Sequence, residues 1–178
     1  MASNDGAGQP SAAFFGELLL RLGTRHHERF TQAREFEARY TGAEANAAVS
    51  FATFGASARL ISAVPDHELG QACVNFIRQF GVNVDHVLRG GRRLGTFYLE
   101  TGAPPRPSRV IYDRAGSAFA ELRPRQIPWE RALAGCQWLH WSGTAPALGP
   151  GLPGVVAEAC AAARRLGLTV SCDLNYRA

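Results

Sequence analysis

Few places in this chain could start chemistry. Gly42-Ala43-Glu44-Ala45-Asn46 sets a glycine at the mouth of a helical run. There, the unpaired N–H groups of a first turn would face a ligand oxygen or an anion. The same glycine would equally serve a plain strand-to-helix turn, and Asn46, one turn in, would equally be a solvated polar residue. Arg114 and Arg177 could together clamp a carboxylate, because a guanidinium offers it two parallel N–H bonds. Taken singly, each is also an ordinary surface arginine. Asp173 ends a strand-like run, where it could be a base or metal ligand, or could brace the turn of Asn175-Tyr176-Arg177. His26-His27 has no partners at ligand spacing. His140, between Leu139 and Trp141, has the setting of a satisfied sheet histidine.

What is missing narrows the chemistry further. All 19 basic residues are Arg, and there is no Lys. That excludes a Schiff-base lysine, a Walker-type phosphate loop and the strand lysine of protein kinases. Any anion must be held by Arg or by backbone N–H groups. The arginines are scattered, with only Arg92-Arg93 and Arg164-Arg165 adjacent, which argues against nucleic acid as a partner despite a net charge of +4. The cysteines at 73, 136, 160 and 172 form no Cys-x-x-Cys pair, so a metal site is not expected. Cys73 and Cys160 fall in helical runs and Cys172 in an apolar strand, each read as a small buried hydrophobe in a disulfide-free, cytoplasmic protein. No apolar run reaches the ~18 residues of a membrane span, and residues 1–11 read as a loose tail rather than a signal peptide. A nicotinamide-binding fold is disfavoured, since no Gly-x-Gly-x-x-Gly follows the first strand.

The elements that must position these residues follow one rhythm. An amphipathic run ends at a glycine, and a β-rich run comes next. Residues 43–54 lead through Gly55 into 60–64. A helix capped by Asp66, with Leu69, Cys73, Phe76 and Phe80 on one face, stops at Gly81. Val155, Ala159, Ala162 and Leu166 share a face before Gly167 and the strand at 168–174, which reads as an interior one. This alternation predicts a parallel sheet covered by helices. Residues 13–22 and 138–141 read as further strands, and 30–40 as an exposed strand segment. Residues 96–100 and 109–112 differ in kind. They alternate and are joined by the turn-rich 101–107 with no helix between, so they predict an antiparallel excursion off the main sheet.

Taken in order, Gly42 to Asn46, residues 93–100, 109–118, Ser142-Gly143-Thr144-Ala145-Pro146-Ala147-Leu148 and Asp173 to Arg177 resemble the ribokinase-like (PfkB) carbohydrate kinases, most of all 2-keto-3-deoxygluconate kinase. The resemblance runs over about residues 13–178 and reaches only the N-terminal half of such an enzyme. It implies an α/β fold, a ribokinase-like three-layer α/β/α sandwich with a small β-lid, truncated so that residues 12–178 lack the C-terminal catalytic and ATP-binding half. It implies substrate contacts from Gly42, Ala43, Glu44, Ala45, Asn46, Phe97, Tyr112, Arg114 and Arg177, with Asn175 and Tyr176 beside the nucleotide. ATP and Mg2+ would be the cofactors, and a sugar or sugar acid the partner, with association of copies through the lid left open. The family usually has Gly where this chain has Thr41, which would crowd the backbone near the sugar. It commonly has Tyr where this chain has Phe97, which removes a hydroxyl. The family's Gly-x-Gly-Asp segment, source of the catalytic Asp, does not occur here. No catalytic residue is therefore expected in this chain, and it is expected to be inactive alone. A fructokinase, a 5-dehydro-2-deoxygluconokinase and a non-catalytic sugar-binding remnant are the alternatives.

Overall fold

The computed structural model describes residues 9–176. Five strands form one all-parallel sheet: β1 (Ser11–Phe15), β4 (Ser57–Val64), β5 (Asn83–Arg89), β8 (Trp138–Ser142) and β9 (Thr169–Asp173), in the spatial order β5-β4-β1-β8-β9. Helices α1 (Ala43–Thr53) and α2 (Glu68–Arg78) cover one face; α3 (Trp129–Leu133) and α5 (Leu152–Arg165) cover the other, and the four-residue α4 (Thr144–Ala147) follows β8. The central strand explains why three layers form. Ala13 and Phe15 point into the core under α3 and α5, while Ala12 and Phe14 point into the core under α1 and α2. A strand buried on both faces must be apolar there, and β1 is so from Ala12 to Phe15. The expected glycine stops hold: Gly55, Gly81 and Gly167 have φ of 86, 81 and 74°, the left-handed conformation that lets the chain leave a helix sharply.

The second sheet has four strands in the order β3-β2-β6-β7, from β2 (Leu19–Thr24), β3 (Phe36–Thr41), β6 (Gly95–Glu100) and β7 (Arg109–Asp113). The antiparallel pairing expected of 96–100 with 109–112 is β6 with β7, with Phe97 opposite Tyr112. This sheet forms the lid.

Several expectations are corrected. Residues 13–22 are not one strand: β1 ends at Phe15, and β2 starts at Leu19 in the other sheet. Gly16-Glu17-Leu18 is the corner, made possible because Gly16 lets the buried Glu44 side chain come close; an added Cβ would sit 1.9 Å from its carboxylate. Of 30–40, only the part from Phe36 is strand. The second helix is capped at His67, not Asp66, with no side-chain bond, and its buried face is Gly70, Cys73, Val74 and Ile77. Leu69 and Phe80 are exposed, because Gly70 rather than Leu69 packs on the carbonyl of Pro65. Leu166 is exposed as well. The strand at 168–174 is an edge of the sheet among the described residues, so Cys172 is exposed rather than buried. The tail expected over residues 1–11 lies mostly outside the described residues, and by Pro10 and Ser11 the chain already bonds Ser57 and Gln137.

Candidate functional site

A cleft of about 410 Å³ opens between the carboxyl ends of β1, β8 and β9 and the lid. Ligands of open α/β sheets collect at that edge, because the loops leaving the strands diverge there. Its floor comes from Glu17 after β1, Thr144 after β8 and Asn175 after β9. One side is the start of α1, with Gly42, Ala43, Glu44 and Asn46. The roof is Leu19, Phe97, Tyr112 and Arg114 from the lid.

The α1 end is shaped by close approach. A Cβ on Gly42 would lie 2.3 Å from the backbone oxygen of Glu17, so only glycine allows this contact between helix start and corner. Ala45 is buried in the core under α1 and does not reach the cleft, because helical spacing turns it toward Ala48 and the sheet. The Thr41 hydroxyl donates to Asn46 Oδ1 at 3.2 Å. The threonine expected to crowd the site thus orients its amide. Glu44 is only 2% exposed and accepts from the Ser142 hydroxyl, which lies 2.8 Å from that of Thr144.

A carboxylate that the sequence reading passed over organises the lid end. Glu17 is buried, accepts from the Ser117 hydroxyl, and takes the Nε–H of Arg114 at 2.6 Å on its other oxygen. Burial raises its pKa above the ordinary carboxylate value, with Arg114 and Ser117 pulling it back down. Arg114, which lines the cleft, is therefore fixed by the protein's own carboxylate through its Nε edge. Tyr112 stacks beside it, with the guanidinium 5.8 Å from the ring centre, and Phe97 lies 5.7 Å from Tyr112 ring to ring. The signal for Glu17 was there to read: it is the one charged residue interrupting the apolar stretch 12–20.

Of the remaining expected residues, Asn175 lines the cleft, whereas Tyr176 projects into solvent at 86% exposure. Leaving the edge strand, the chain reverses at Asn175 (φ 48°) and carries Tyr176 away. Arg177 lies outside the described residues. Asp173 accepts the backbone N–H of Asn175 at 2.8 Å, the turn-bracing role. His140 Nδ1 meets the Ser171 hydroxyl at 2.7 Å as a satisfied sheet residue. Among the described residues no group of three or more His, Cys, Asp or Glu could hold a metal ion, and none of the cleft-lining segments is a glycine-rich phosphate loop. The described residues of this chain by themselves therefore do not fit Mg2+ or the phosphates of ATP. No helix among them is long and apolar enough to cross a membrane.

The model of the pfkB family carbohydrate kinases matches residues 9–178. A 2-dehydro-3-deoxygalactonokinase of Haloferax volcanii is 37% identical over 163 residues, which is 92% of this chain and 51% of that protein. A 2-dehydro-3-deoxygluconokinase of Thermoproteus tenax is 30% identical, over 87% of this chain and 48% of its own. The crystal structure of the 2-dehydro-3-deoxygluconokinase of Thermotoga maritima superposes with a TM-score of 0.92 at 44% identity, covering 94% of this chain and 52% of that one. A Pyrococcus horikoshii sugar kinase in complex with ATP, 19% identical with a TM-score of 0.80, shares the fold. The chain spans about half the length of the curated relatives it matches. With the family's model covering nearly all of it, and a ribokinase-like sandwich and lid in place, the chain belongs to the pfkB family of carbohydrate kinases.

Proposed function

We propose that this chain forms the sugar-gripping part of an ATP-dependent kinase for a six-carbon 2-keto-3-deoxy sugar acid such as 2-keto-3-deoxygluconate. The single observation that carries the reading is Arg114, held against the cleft by the buried Glu17 and flanked by Tyr112 and Phe97. A neutral sugar needs no guanidinium there, whereas a carboxylate does. Because Glu17 offsets much of the charge of Arg114, the discrimination is directional: the fixed N–H fork selects a planar carboxylate. The aromatic pair covers the apolar faces of the carbon chain. Asn46 and the first N–H groups of α1 bind hydroxyl oxygens, and Arg177 adds a second cation. ATP, when bound, supplies the phosphoryl group, while the residues of this chain hold the acceptor still and exclude water.

Phosphoryl transfer also needs a base aligned on the acceptor hydroxyl and donors aimed at the phosphates. The 178 residues contain no Gly-x-Gly-Asp segment to provide them. The chain alone is thus a binder that does not turn over, with a cytoplasmic setting as the matching proposal. Relatives named 5-dehydro-2-deoxygluconokinase, such as that of Geobacillus kaustophilus at 30% identity, support a second reading in which a different keto-deoxy sugar is the ligand. Calorimetric titration of the purified chain with 2-keto-3-deoxygluconate, 5-keto-2-deoxygluconate and fructose separates these readings, and a coupled ADP assay checks turnover. Binding of the first ligand in preference to the others, without ATP consumption, is the expected result. Preference for fructose, or turnover above the no-protein control, would contradict it.

A further inference from the structure

The polar groups around the cleft differ in which way they can hydrogen-bond. At the α1 end, Asn46 Oδ1 already accepts from the Thr41 hydroxyl, which leaves its Nδ2–H2 group to donate. The first N–H groups of α1 and the Arg114 guanidinium are donors as well. Both carboxylates that border the cleft are engaged within the protein, Glu17 by Ser117 and Arg114, and Glu44 by Ser142. Donors suit the carboxylate and keto oxygens of a sugar acid, which carry no hydrogen. Its hydroxyl hydrogens need an acceptor, because a hydroxyl shielded from water without one costs free energy.

The floor of the cleft provides that acceptor through a chain of committed hydrogens. A hydroxyl has one hydrogen to give. That of Ser142, which is buried, goes to the buried Glu44 carboxylate. Thr144 Oγ1 lies 2.8 Å from Ser142 Oγ, and of the two only Thr144 still has a hydrogen for that contact. Thr144 therefore donates to Ser142. Among the described residues no other donor reaches Thr144 Oγ1, so an oxygen lone pair remains on a residue that lines the cleft. A solvated threonine turns its hydroxyl to donate or to accept as its neighbour requires. This one has its direction set from the core, by a carboxylate two hydrogen bonds away.

We infer that Thr144 is a specificity-determining residue of the cleft, an acceptor that takes the hydrogen of a ligand hydroxyl. This rests on the sugar-acid reading and deepens it by orienting the ligand. The carboxylate lies toward Arg114 at the lid, and a hydroxyl lies on the floor beyond β8. A keto oxygen or a second carboxylate at that place would set lone pair against lone pair.

The test is calorimetric titration of the full chain, T144V and T144S with 2-keto-3-deoxygluconate and with analogues of it that each have one hydroxyl replaced by fluorine. Fluorine is close to a hydroxyl in size but has no hydrogen to donate. The expected result is a loss of about fivefold to tenfold in affinity for the acid in T144V, with T144S within about twofold of wild type. One fluorinated analogue should bind wild type and T144S weaker than the acid by a similar factor, and should bind T144V as well as the acid does. That comparison is made within each protein, so it decides the matter even where T144V lowers the melting temperature. Equal affinity for the acid in wild type and T144V would overturn the inference and leave the sugar-acid reading intact. So would a fluorine penalty that is the same in wild type and T144V at every hydroxyl, or a loss in T144S equal to that in T144V. If wild type binds fructose but not the acid, the sugar-acid reading fails alone, and the same comparison with fructose and its fluorinated analogues decides Thr144. Binding of neither sugar would overturn both.

Discussion

The two sheets of this molecule solve opposite problems. In the parallel sheet, β1 is closed off on both faces, with Phe15 fully buried against Phe119 and Trp129. In the lid, every residue of β7 is exposed, including Ile111 and Tyr112. A doubly covered strand supplies stability and has no surface left for a ligand. A singly covered lid gives up burial so that one face can meet one. The corner at Gly16-Glu17-Leu18 joins the two, and its carboxylate lies where they meet.

If that division is correct, substitutions should sort by sheet. Phe15→Ala should show the largest effect, a loss of about 3–5 kcal/mol in urea unfolding from the cavity left beneath α3 and α5. Ile111→Ala in β7 should stay within about 1 kcal/mol. Similar losses at the two sites would erase the contrast.

Glu17→Ala comes next, because it strands a half-buried guanidinium: a loss of about 3 kcal/mol is expected, together with weaker binding of the acid. Glu17→Gln sharpens the point through pH. The folded state raises the pKa of Glu17, so the folded protein binds more protons than the unfolded one in the window above the ordinary carboxylate value. Stability from this group is therefore complete below that value and declines as pH rises through the raised one. The exposed pairs act in the other direction. Arg93 holds Asp113 below its ordinary value, and Arg165 does the same to Glu130, so their contribution fades as pH falls through the lowered values. Melting temperature measured against pH should lose its decline above the carboxylate range in the Gln variant, and the decline should survive in Asp113→Asn.

Gly42→Ala should cost about 1–3 kcal/mol, since the new Cβ cannot share space with the carbonyl of Glu17, and calorimetry should show weaker sugar binding than that loss alone explains. The smallest effect concerns association rather than folding. An apolar hollow of about 400 Å³ between α1 and the β8–β9 edge is lined by Phe14, Phe51, Phe54 and Trp138, with Phe54 and Trp138 exposed. An uncovered apolar face of this kind favours contact between copies. Phe54→Ser with Trp138→Ser should lower the average mass seen by light scattering at high protein concentration.

The parallel sheet was legible because its signals are local. The glycines at 55, 81 and 167 follow their helices directly, and doubly buried strands read as unbroken apolar runs. The lid pair was legible for a related reason, since β6 and β7 alternate and the turn between them is visible in its prolines. The junction was not. The single run over 13–22 concealed a change of sheet because Phe15 and Leu19 are equally apolar, and one apolar stretch can supply two different cores. Glu17 stood out as a lone charge, but its partners were hidden by distance: Arg114 and Ser117 stand 97 and 100 residues away, and no spacing rule reaches that far. Asn46 and Arg114 were reached only through resemblance, since taken singly each is an ordinary polar residue.

The most direct test of the account is the selectivity of Arg114. Affinities for 2-keto-3-deoxygluconate and for fructose should be measured by calorimetry in the wild-type chain, in Arg114→Ala and in Arg114→Lys. Loss of one partner of a charge-assisted bond at a sheltered site costs about 2–5 kcal/mol. Binding of the acid should therefore fall by well over tenfold in Arg114→Ala and recover only in part in Arg114→Lys, while fructose binding changes little. Equal losses for the two sugars would mean that Arg114 serves Glu17 and the fold alone, and would contradict the sugar-acid assignment.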